Sequence, residues 1–443
     1  MIQQTPNTIS RRAFHRRLLN GGALLASTIS GFPSLNAAGA STRLRVGIVG
    51  LGRGMAHLQA LLAASDVEVA YLCDVDKRRL GSAIQTATQR STKPAPRGVQ
   101  DMRQILDDRE VDAVFLATPN HWHAPGAILA CQSGKHVYVE KPGSHNCQEA
   151  EWLVAAARAH RRVVQMGNQR RTWPAIREGI QRLQEGIIGP VRAARCWYNA
   201  ARPSMGRGRT VEPPAELDYE LWQGPAPRMP YVDNLVHYNW HWRWHWGGGE
   251  LANNGVHGLD LARWGLGVGL PSFVTFSGGR LHFQDDQTTP DTGAATFEYP
   301  GKFISWDVSS CHPRKSDQPG FVHFYGDGGV LEIGTGAGYV VKDLNGKEIE
   351  RKTGPGGESE HIANFLDAIR GRAALNSDIA EGQDSAMLCH LGNIAYRSRS
   401  ALTVDAKRRS IVGNRPAAQL WGRDYANGWH RTLRAATQVA RTV

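Results

Sequence analysis

The stretch from Leu44 to Asp76 constrains the fold more than any other part of the chain. Val46, Ile48 and Val49 form a short apolar run that stops at Gly50-Leu51-Gly52-Arg53-Gly54. An apolar helical pattern follows through Leu58, Leu61 and Leu62, then a second β-branched run from Val67 to Leu72 that closes on Asp74. The order is strand, glycine turn, helix, strand. Glycines let the backbone turn tightly and approach a pyrophosphate, and the helix N-terminus that follows offers free N–H groups and a positive dipole end. Asp74 lies about 20 residues past the glycines, where a carboxylate accepts hydrogen bonds from ribose hydroxyls. A tight turn alone would need neither the flanking strand and helix nor the acid, so the stretch reads as a dinucleotide site. Gly50, Gly52, Arg53, Gly54, Met55 and Asp74 are its candidate residues. The third glycine is displaced, giving G-x-G-x-G-M, which puts Met55 at the position that usually packs the helix on the strand.

The rest of the chain repeats the alternation and then abandons it. A polar helix over Lys77–Arg90, a short helix near Met102–Leu106, a buried strand over Val111–Thr118, a helix through Cys131 and a strand over His136–Val139 follow in order. A helix over Gln148–Arg161 and a strand over Arg162–Met166 complete a doubly wound, mostly parallel sheet. Beyond residue 167, helices over Trp173–Gly186, Glu250–Leu266, Glu358–Arg370 and Ile379–Ser398 flank closely spaced alternating segments. The latter predict a large, mostly antiparallel open sheet. The expected organisation is a leader over residues 1–40, a dinucleotide-binding domain over 41–167 and an α/β domain over 168–443, with the C-terminal helices packing back on the first domain.

The leader is read from Ser10-Arg11-Arg12-Ala13-Phe14, which resembles the twin-arginine export motif. An apolar segment runs from Leu18 to Phe32, and Ala38-Gly39-Ala40 supplies small residues for cleavage before Ser41. The apolar segment is too short and too broken by Asn20, Gly21 and Gly22 to favour a membrane span. The expected location is the bacterial periplasm. The formal charge of the 443 residues is +12, from 52 Lys+Arg against 40 Asp+Glu. Four of those arginines fall in the leader, and the remainder are scattered without a basic run interleaved with aromatics. No nucleic-acid partner is therefore expected. Six cysteines show neither C-x-x-C nor metal-ligand spacing, so no metal site is expected from them, and one disulfide is left open.

Three further features line up with the glycine turn: Thr118-Pro119-Asn120 followed one crossover later by Glu140-Lys141-Pro142, Gln165 to Arg171 after the next strand, and Gly247-Gly248-Gly249 leading to His257 and Asp260. Together they resemble the glucose–fructose oxidoreductase / inositol dehydrogenase family (Gfo/Idh/MocA) over nearly the whole mature chain. The resemblance implies a Rossmann domain joined to a substrate domain whose open sheet often forms a subunit interface. It also implies oxidation or reduction of sugars and polyols with NAD, NADP remaining possible. By the same resemblance Lys141 stands near the nicotinamide and the reacting hydroxyl, with Thr118, Asn120, His123 and Glu140 completing the cofactor site. Without the family, a single lysine after a strand is most often a surface residue. His257 corresponds to the histidine of a D-x-x-x-H pattern, usually the base. Here the earlier position is Asn253, which on an α-helix would share a face with His257 and could orient its imidazole. Asp260, three residues on, could assist it.

The run His237-Tyr238-Asn239-Trp240-His241-Trp242-Arg243-Trp244-His245-Trp246 would put four indoles on one face if extended, a platform for sugar rings. Core packing accounts for part of it equally well. The substrate candidates are Gln169, Arg170, Tyr238, Trp240, His241 and His257. The expected function is a periplasmic NAD(P)-dependent oxidoreductase acting on a sugar, sugar acid or glycoside. Its cofactor would be tightly bound and internally recycled, under a cover best sought in the loop from Arg202 to Pro214. The rivals are a redox-assisted glycoside-cleaving enzyme that uses NAD transiently, and a non-catalytic protein that binds dinucleotide and sugar. A carbohydrate substrate and a homo-oligomer built through the C-terminal sheet are the expected partners.

Overall fold

The computed structural model describes residues 43–315 and 320–438. The leader expected over residues 1–40 lies outside them. The first half alternates β1 (Leu44–Val49), α1 (Gly54–Ala63), β2 (Val67–Cys73), α2 (Lys77–Arg90), β3 (Arg97–Val99), α3 (Arg103–Asp107), β4 (Ala113–Leu116), α4 (Asn120–Gln132), β5 (His136–Val139), α5 (Cys147–Ala159) and β6 (Val164–Met166). The strands form one parallel sheet in the order β3-β2-β1-β4-β5-β6. Order reverses between β1 and β4, the switch point outside whose strand ends such folds bind ligands. All four residues of β4 are buried, as a strand covered on both faces requires. Asp76 caps α2 by accepting hydrogen bonds from the Arg78 and Arg79 N–H groups at 2.8 and 3.3 Å.

The second half opens with α6 (Pro174–Gln184), β7 (Val191–Asn199), α7 (Tyr219–Gln223) and α8 (Val256–Leu266). Strands β8 (Phe273–Gly279), β9 (Thr292–Tyr299), β10 (Lys302–Ser309), β11 (Val322–Gly326), β12 (Gly329–Ile333), β13 (Gly338–Asp343) and β14 (Glu348–Thr353) follow, then α9 (Ser359–Ile369) and α10 (Ile379–Ser398). The chain ends through β15 (Leu402–Asp405), β16 (Ser410–Val412), α11 (Arg415–Gln419) and α12 (Trp429–Ala436). Ten strands form one sheet in the order β14-β13-β12-β11-β7-β10-β9-β8-β15-β16, antiparallel throughout except for the β7–β10 pair.

Alternation along β10 buries Ile304, Trp306 and Val308 under α8 and leaves Phe303 and Asp307 on the outer face. Helix α10 packs on β8 and also on α5 and β6, and α9 packs on α1, so the C-terminal helices tie the two sheets together. All six cysteines are free, five of them buried and Cys311 half-buried. No helix among the described residues is long and apolar enough to cross a membrane.

Candidate active site

The glycine turn is built for a close approach. Gly50 has φ +87°, and a Cβ there would lie 2.5 Å from the Ala117 carbonyl oxygen at the end of β4. Only glycine satisfies both demands. The N-terminus of α1 has no side-chain cap and no acid in its first turn, so nothing from the protein competes with an anion for that end. Asp74 is fixed by two backbone N–H groups, Leu51 at 2.8 Å and Asp76 at 2.9 Å, which leaves lone pairs for ribose hydroxyls. Arg79, one turn into α2, stands beside Asp74 and 3.0 Å from where a Cβ on Gly52 would sit. The Thr118 hydroxyl is buried with no partner among the described residues. Uncapped helix, glycine cradle and orphaned hydroxyl face one cavity of about 1250 Å³ that Gly50, Gly52, Arg53, Asp74, Thr118, Asn120, His123, Glu140 and Lys141 all line. The residues present fit a dinucleotide.

At the other end of that cavity stand Lys141, Asn253, His257, Gln169, Tyr238, Trp240 and His241. Lys141 Nζ donates to the Asn253 backbone oxygen at 2.7 Å and to its side-chain oxygen at 3.1 Å. Glu140 does not hold the lysine ammonium. It pairs instead with His57 at 3.1 Å and Arg53 at 3.3 Å, and those two groups share Glu358 at 3.2 and 2.7 Å. Burial pushes the Glu140 carboxyl up, but the His57 hydrogen bond and the charges of His57, Arg53 and Lys141 outweigh it and hold the group far below the usual carboxylate range. Burial would lower His57, yet its bonds to two carboxylates raise it overall. The result is a fixed, ionised brace directly behind Lys141.

His257 has no hydrogen-bond partner among the described residues. Burial, reinforced by the charge of Lys141, pushes its pKa well below the ordinary value, so the imidazole stands neutral in the cavity wall. The expected contact from Asn253 is absent. Residues Leu251–Gly255 form a π-turn in which the Val256 N–H reaches back to the Leu251 oxygen, five residues rather than four. The wider turn breaks the i,i+4 stacking of an α-helix and sends Asn253 to Lys141.

Asp260 also departs from expectation. Its carboxylate receives Arg171 through three hydrogen bonds of 2.9–3.0 Å and the Ser385 hydroxyl at 2.6 Å, all buried. It anchors α8 and leaves nothing for His257.

Two other assignments in the nucleotide half change. Gly54, at the first position of α1, does the packing assigned to Met55: a Cβ on it would lie 3.0 Å from Ile48 Cγ2. Met55 is half-buried against the core of that half, and neither residue lines the cavity. Arg170 is likewise outside, sandwiched on Trp173 and Phe321 and bonded to the Thr335 carbonyl at 2.8 Å.

The tryptophan run is not extended. Asn239–Trp242 forms a 3-10 turn, and Trp240, Trp242 and Trp246 are buried, while Trp244 packs near Tyr396 and Arg397. Trp240 and Trp246 belong to a separate small core with Leu217, Tyr219, Trp222, Ala226, Tyr231 and Leu235. Only Trp240 lines the cavity, with the His241 ring stacked on it at 3.5 Å.

This small core stiffens a cover over one side of the cavity. Its edge is held by backbone bonds from Lys77 to Glu216 and from Asp218 to Val75, each 3.0 Å, and by His237 on Asp76 at 2.8 Å. The loop from Arg202 to Pro214 does not line the cavity; the cover comes from the segment after it. Sequence reading missed Arg79, Trp222, His237, and Trp429 of α12 as lining residues. It also missed the Arg202–Glu250 pair at 2.6 Å, whose guanidinium bonds the Tyr238 hydroxyl at 2.5 Å. Arg79 lies on the helix expected over Lys77–Arg90 and His237 opens the tryptophan run, but nothing local to any of these residues marks which side chain turns to the cavity.

Comparison with known proteins agrees with this arrangement. Residues 44–168 match Gfo/Idh/MocA, an oxidoreductase family with an NAD-binding Rossmann fold, and residues 176–332 match the C-terminal domain of the same family. A glycosyl hydrolase family 109 protein of Shewanella pealeana is 35% identical over 130 residues, so the match spans 28% of this chain and 28% of that relative. The WlbA dehydrogenase from Bordetella pertussis, solved in complex with NADH and UDP-GlcNAcA, superposes with a TM-score of 0.63 at 20% identity, over 82% of this chain and 99% of that one. The aldose-aldose oxidoreductase from Caulobacter crescentus, complexed with glycerol, gives a TM-score of 0.63 at 18% identity, over 82% and 100%. At such identities the two structures speak for the fold. With both domains matched and the glycine turn, Asp74 and Lys141 gathered on one cavity, the chain belongs to the Gfo/Idh/MocA family of NAD-dependent oxidoreductases.

Proposed function

We propose that this protein is a periplasmic oxidoreductase acting on a sugar, sugar acid or glycoside, with its NAD retained and recycled within the protein. The observation that carries the reading is the convergence of Lys141 and His257 with Tyr238, Trp240 and His241 on the cavity that the glycine turn opens. When bound, the nicotinamide supplies hydride acceptance and donation at carbon. The protein's own part is to hold a hydroxylated ring against the Trp240–His241 stack and Tyr238, and to take the hydroxyl proton at Lys141 or His257. The Arg53–Glu140–His57–Glu358 brace keeps Lys141 in register. Asp74 favours NAD because a carboxylate repels a 2′-phosphate, with Arg79 the group that would temper that preference.

Retention is supported by the cover segment and α12, both of which contribute lining residues to the cavity, Trp222, His237 and Trp429 among them. It would suit a protein exported already folded by the route that Arg11 and Arg12 suggest, since lost cofactor is not replaced outside the cytoplasm. The substrate unit would be residues 168–443, and the outer face of the large sheet, with Phe303 and Tyr325 exposed, would form the contact of a homo-oligomer.

A second reading is favoured by the similarity to a glycosyl hydrolase family 109 protein: transient oxidation, loss of the aglycone, and reduction of the product, with no net redox change. The test is to mix the purified protein with neutral sugars, sugar acids and glycosides while recording the absorbance of bound nicotinamide. A lasting change with one substrate class supports a dehydrogenase. Released sugar at constant total reduced cofactor supports cleavage. Saturable binding with neither result would sink both and leave a binding protein.

A further inference from the structure

The cavity continues past Asp74 to an end remote from Lys141. Strand order puts β3 and β5 on opposite sides of the β1–β4 switch point, so residues that follow β3 stand far from the lysine that follows β5. The Asp74 N–H donates to the Val99 oxygen at 3.3 Å, and Gln100 and Met102, next in the chain, line the cavity. Met102 also approaches α4, where a Cβ on Gly126 would lie 3.5 Å from its Cε. A base carried on a ribose that Asp74 holds would occupy this end.

Two tryptophans from separate elements meet there. Trp122, in the first turn of α4, and Trp429, the first residue of α12, have ring centroids 5.3 Å apart and planes at 89°, and both line the cavity. Perpendicular indoles make a corner, in which a planar base that lies flat on one ring meets the other across its edge. Trp122 is fixed in place. Its indole N–H donates to the Leu221 and Trp222 oxygens at 3.1 and 3.0 Å, and a Cβ on Gly224 would overlap its ring.

Trp429 is carried by a segment that is tied down on both sides. Ahead of α12, Arg423 donates to Glu149 and to the His121 oxygen, each at 2.8 Å, and the Tyr425 hydroxyl donates to Glu149 at 3.0 Å. The Ala426 N–H reaches the Pro225 oxygen at 2.9 Å, and Gly428 then turns the chain at φ +86°, a conformation that suits glycine. At the far end His160 bonds to the Ala436 oxygen at 2.8 Å, and Leu433 and Ala436 are buried. Helix α12 lies beyond residue 332, where the match to the family's C-terminal domain ends, so that match assigns it no part in binding.

We propose that Trp429 is a cofactor-binding residue of this chain: with Trp122 it closes an aromatic corner on the adenine base, and the C-terminal segment thereby sets how long the dinucleotide stays bound. The inference rests on the NAD-retention reading above and names the contact that provides the retention. Base–indole stacking is sequestered there from the chemistry at Lys141, so the clasp acts on the lifetime of the complex and not on hydride transfer.

The experiment incubates the purified mature holoprotein with excess isotope-labelled NAD and follows the unlabelled NAD still bound by mass spectrometry after rapid desalting. Trp429→Ala should shorten the half-time of the retained NAD about tenfold or more, and Trp429→Phe, which keeps a ring, should stay within about threefold of the wild type. Thr432→Trp, at an exposed position of α12 that also lines the cavity, should crowd the same corner and shorten the half-time too; it serves if Trp429→Ala does not fold. Arg434→Ala, exposed on the same helix and outside the cavity, should exchange as the wild type does. A wild-type half-time in both Trp429→Ala and Thr432→Trp, a Trp429→Phe as fast as Trp429→Ala, or an equal loss in Arg434→Ala would each overturn the proposal. Wild-type protein that exchanges its NAD within seconds would instead overturn the retention reading, and the ratios among the variants would still decide the part played by Trp429.

Discussion

The two ends of the cavity are built by different means. At the dinucleotide end the backbone makes the contacts: Gly50 at positive φ, the uncapped start of α1, and Asp74 tied to two N–H groups. Those three parts lie within one stretch of about thirty residues, with the buried Thr118 hydroxyl joining them from the end of β4. At the substrate end, side chains from remote segments meet. Lys141 touches Asn253, which is 112 residues away, and Glu140 is braced by His57 and by Arg53 from the glycine turn. A site made by the backbone of one stretch tolerates side-chain changes around it, whereas one made by converging side chains fails at single positions.

Substitutions can break that contrast or sharpen it. Lys141→Ala carries the largest expected effect, a loss of about 10³-fold or more in turnover with cofactor content unchanged. Joint loss of both would show that the two ends are not separable. Asp260→Ala should leave the Arg171 guanidinium buried without its partner and cost about 3–5 kcal/mol, read as a lower denaturation midpoint. A shifted activity–pH profile at full stability would instead restore Asp260 as an aid to His257. His257→Ala should lower turnover by about 10²-fold; near-wild-type activity would leave proton handling to Lys141 alone. Gly50→Ala is expected to act at the other end. Its new Cβ meets the Ala117 oxygen, so bound cofactor should fall at least about tenfold, while cofactor added at saturation restores turnover per bound molecule.

Acidification adds a smaller effect. His123 and His361 are both buried and pushed down to about 4, below the ordinary 6.5 of an unfolded histidine. The unfolded chain therefore takes up protons first as pH falls. Stability present above about pH 6.5 should be lost by roughly 1–2 kcal/mol per histidine by pH 5, measurable as a falling denaturation midpoint.

The same contrast decides how much was legible in the sequence. The Rossmann half could be read almost element by element, α2 to its boundaries, because its periodicities and its glycines are local. The antiparallel sheet was visible through β13. Its edges β14, β15 and β16 were not, since strands of three to six residues with charged or exposed positions carry little pattern. Among site residues, Lys141 and His257 stand in the cavity where the motif placed them. Asn253 and Asp260 were misassigned because α-helical spacing was applied across a π-turn and because Arg171 could not be foreseen as the partner of Asp260. The tryptophan run misled through its period of two. Its indoles are spent on the core of the cover, a contact list that includes Leu217 and Trp222 and that no local pattern encodes.

The central claim is that the two ends enclose one retained NAD, and it can be tested without knowing the substrate. Purified mature protein is denatured, and the supernatant is assayed for NAD(H) and NADP(H). The account predicts near-stoichiometric release, with NAD(H) in excess because the Asp74 carboxylate would repel a 2′-phosphate. An apoprotein that binds added dinucleotide only weakly and reversibly would contradict it.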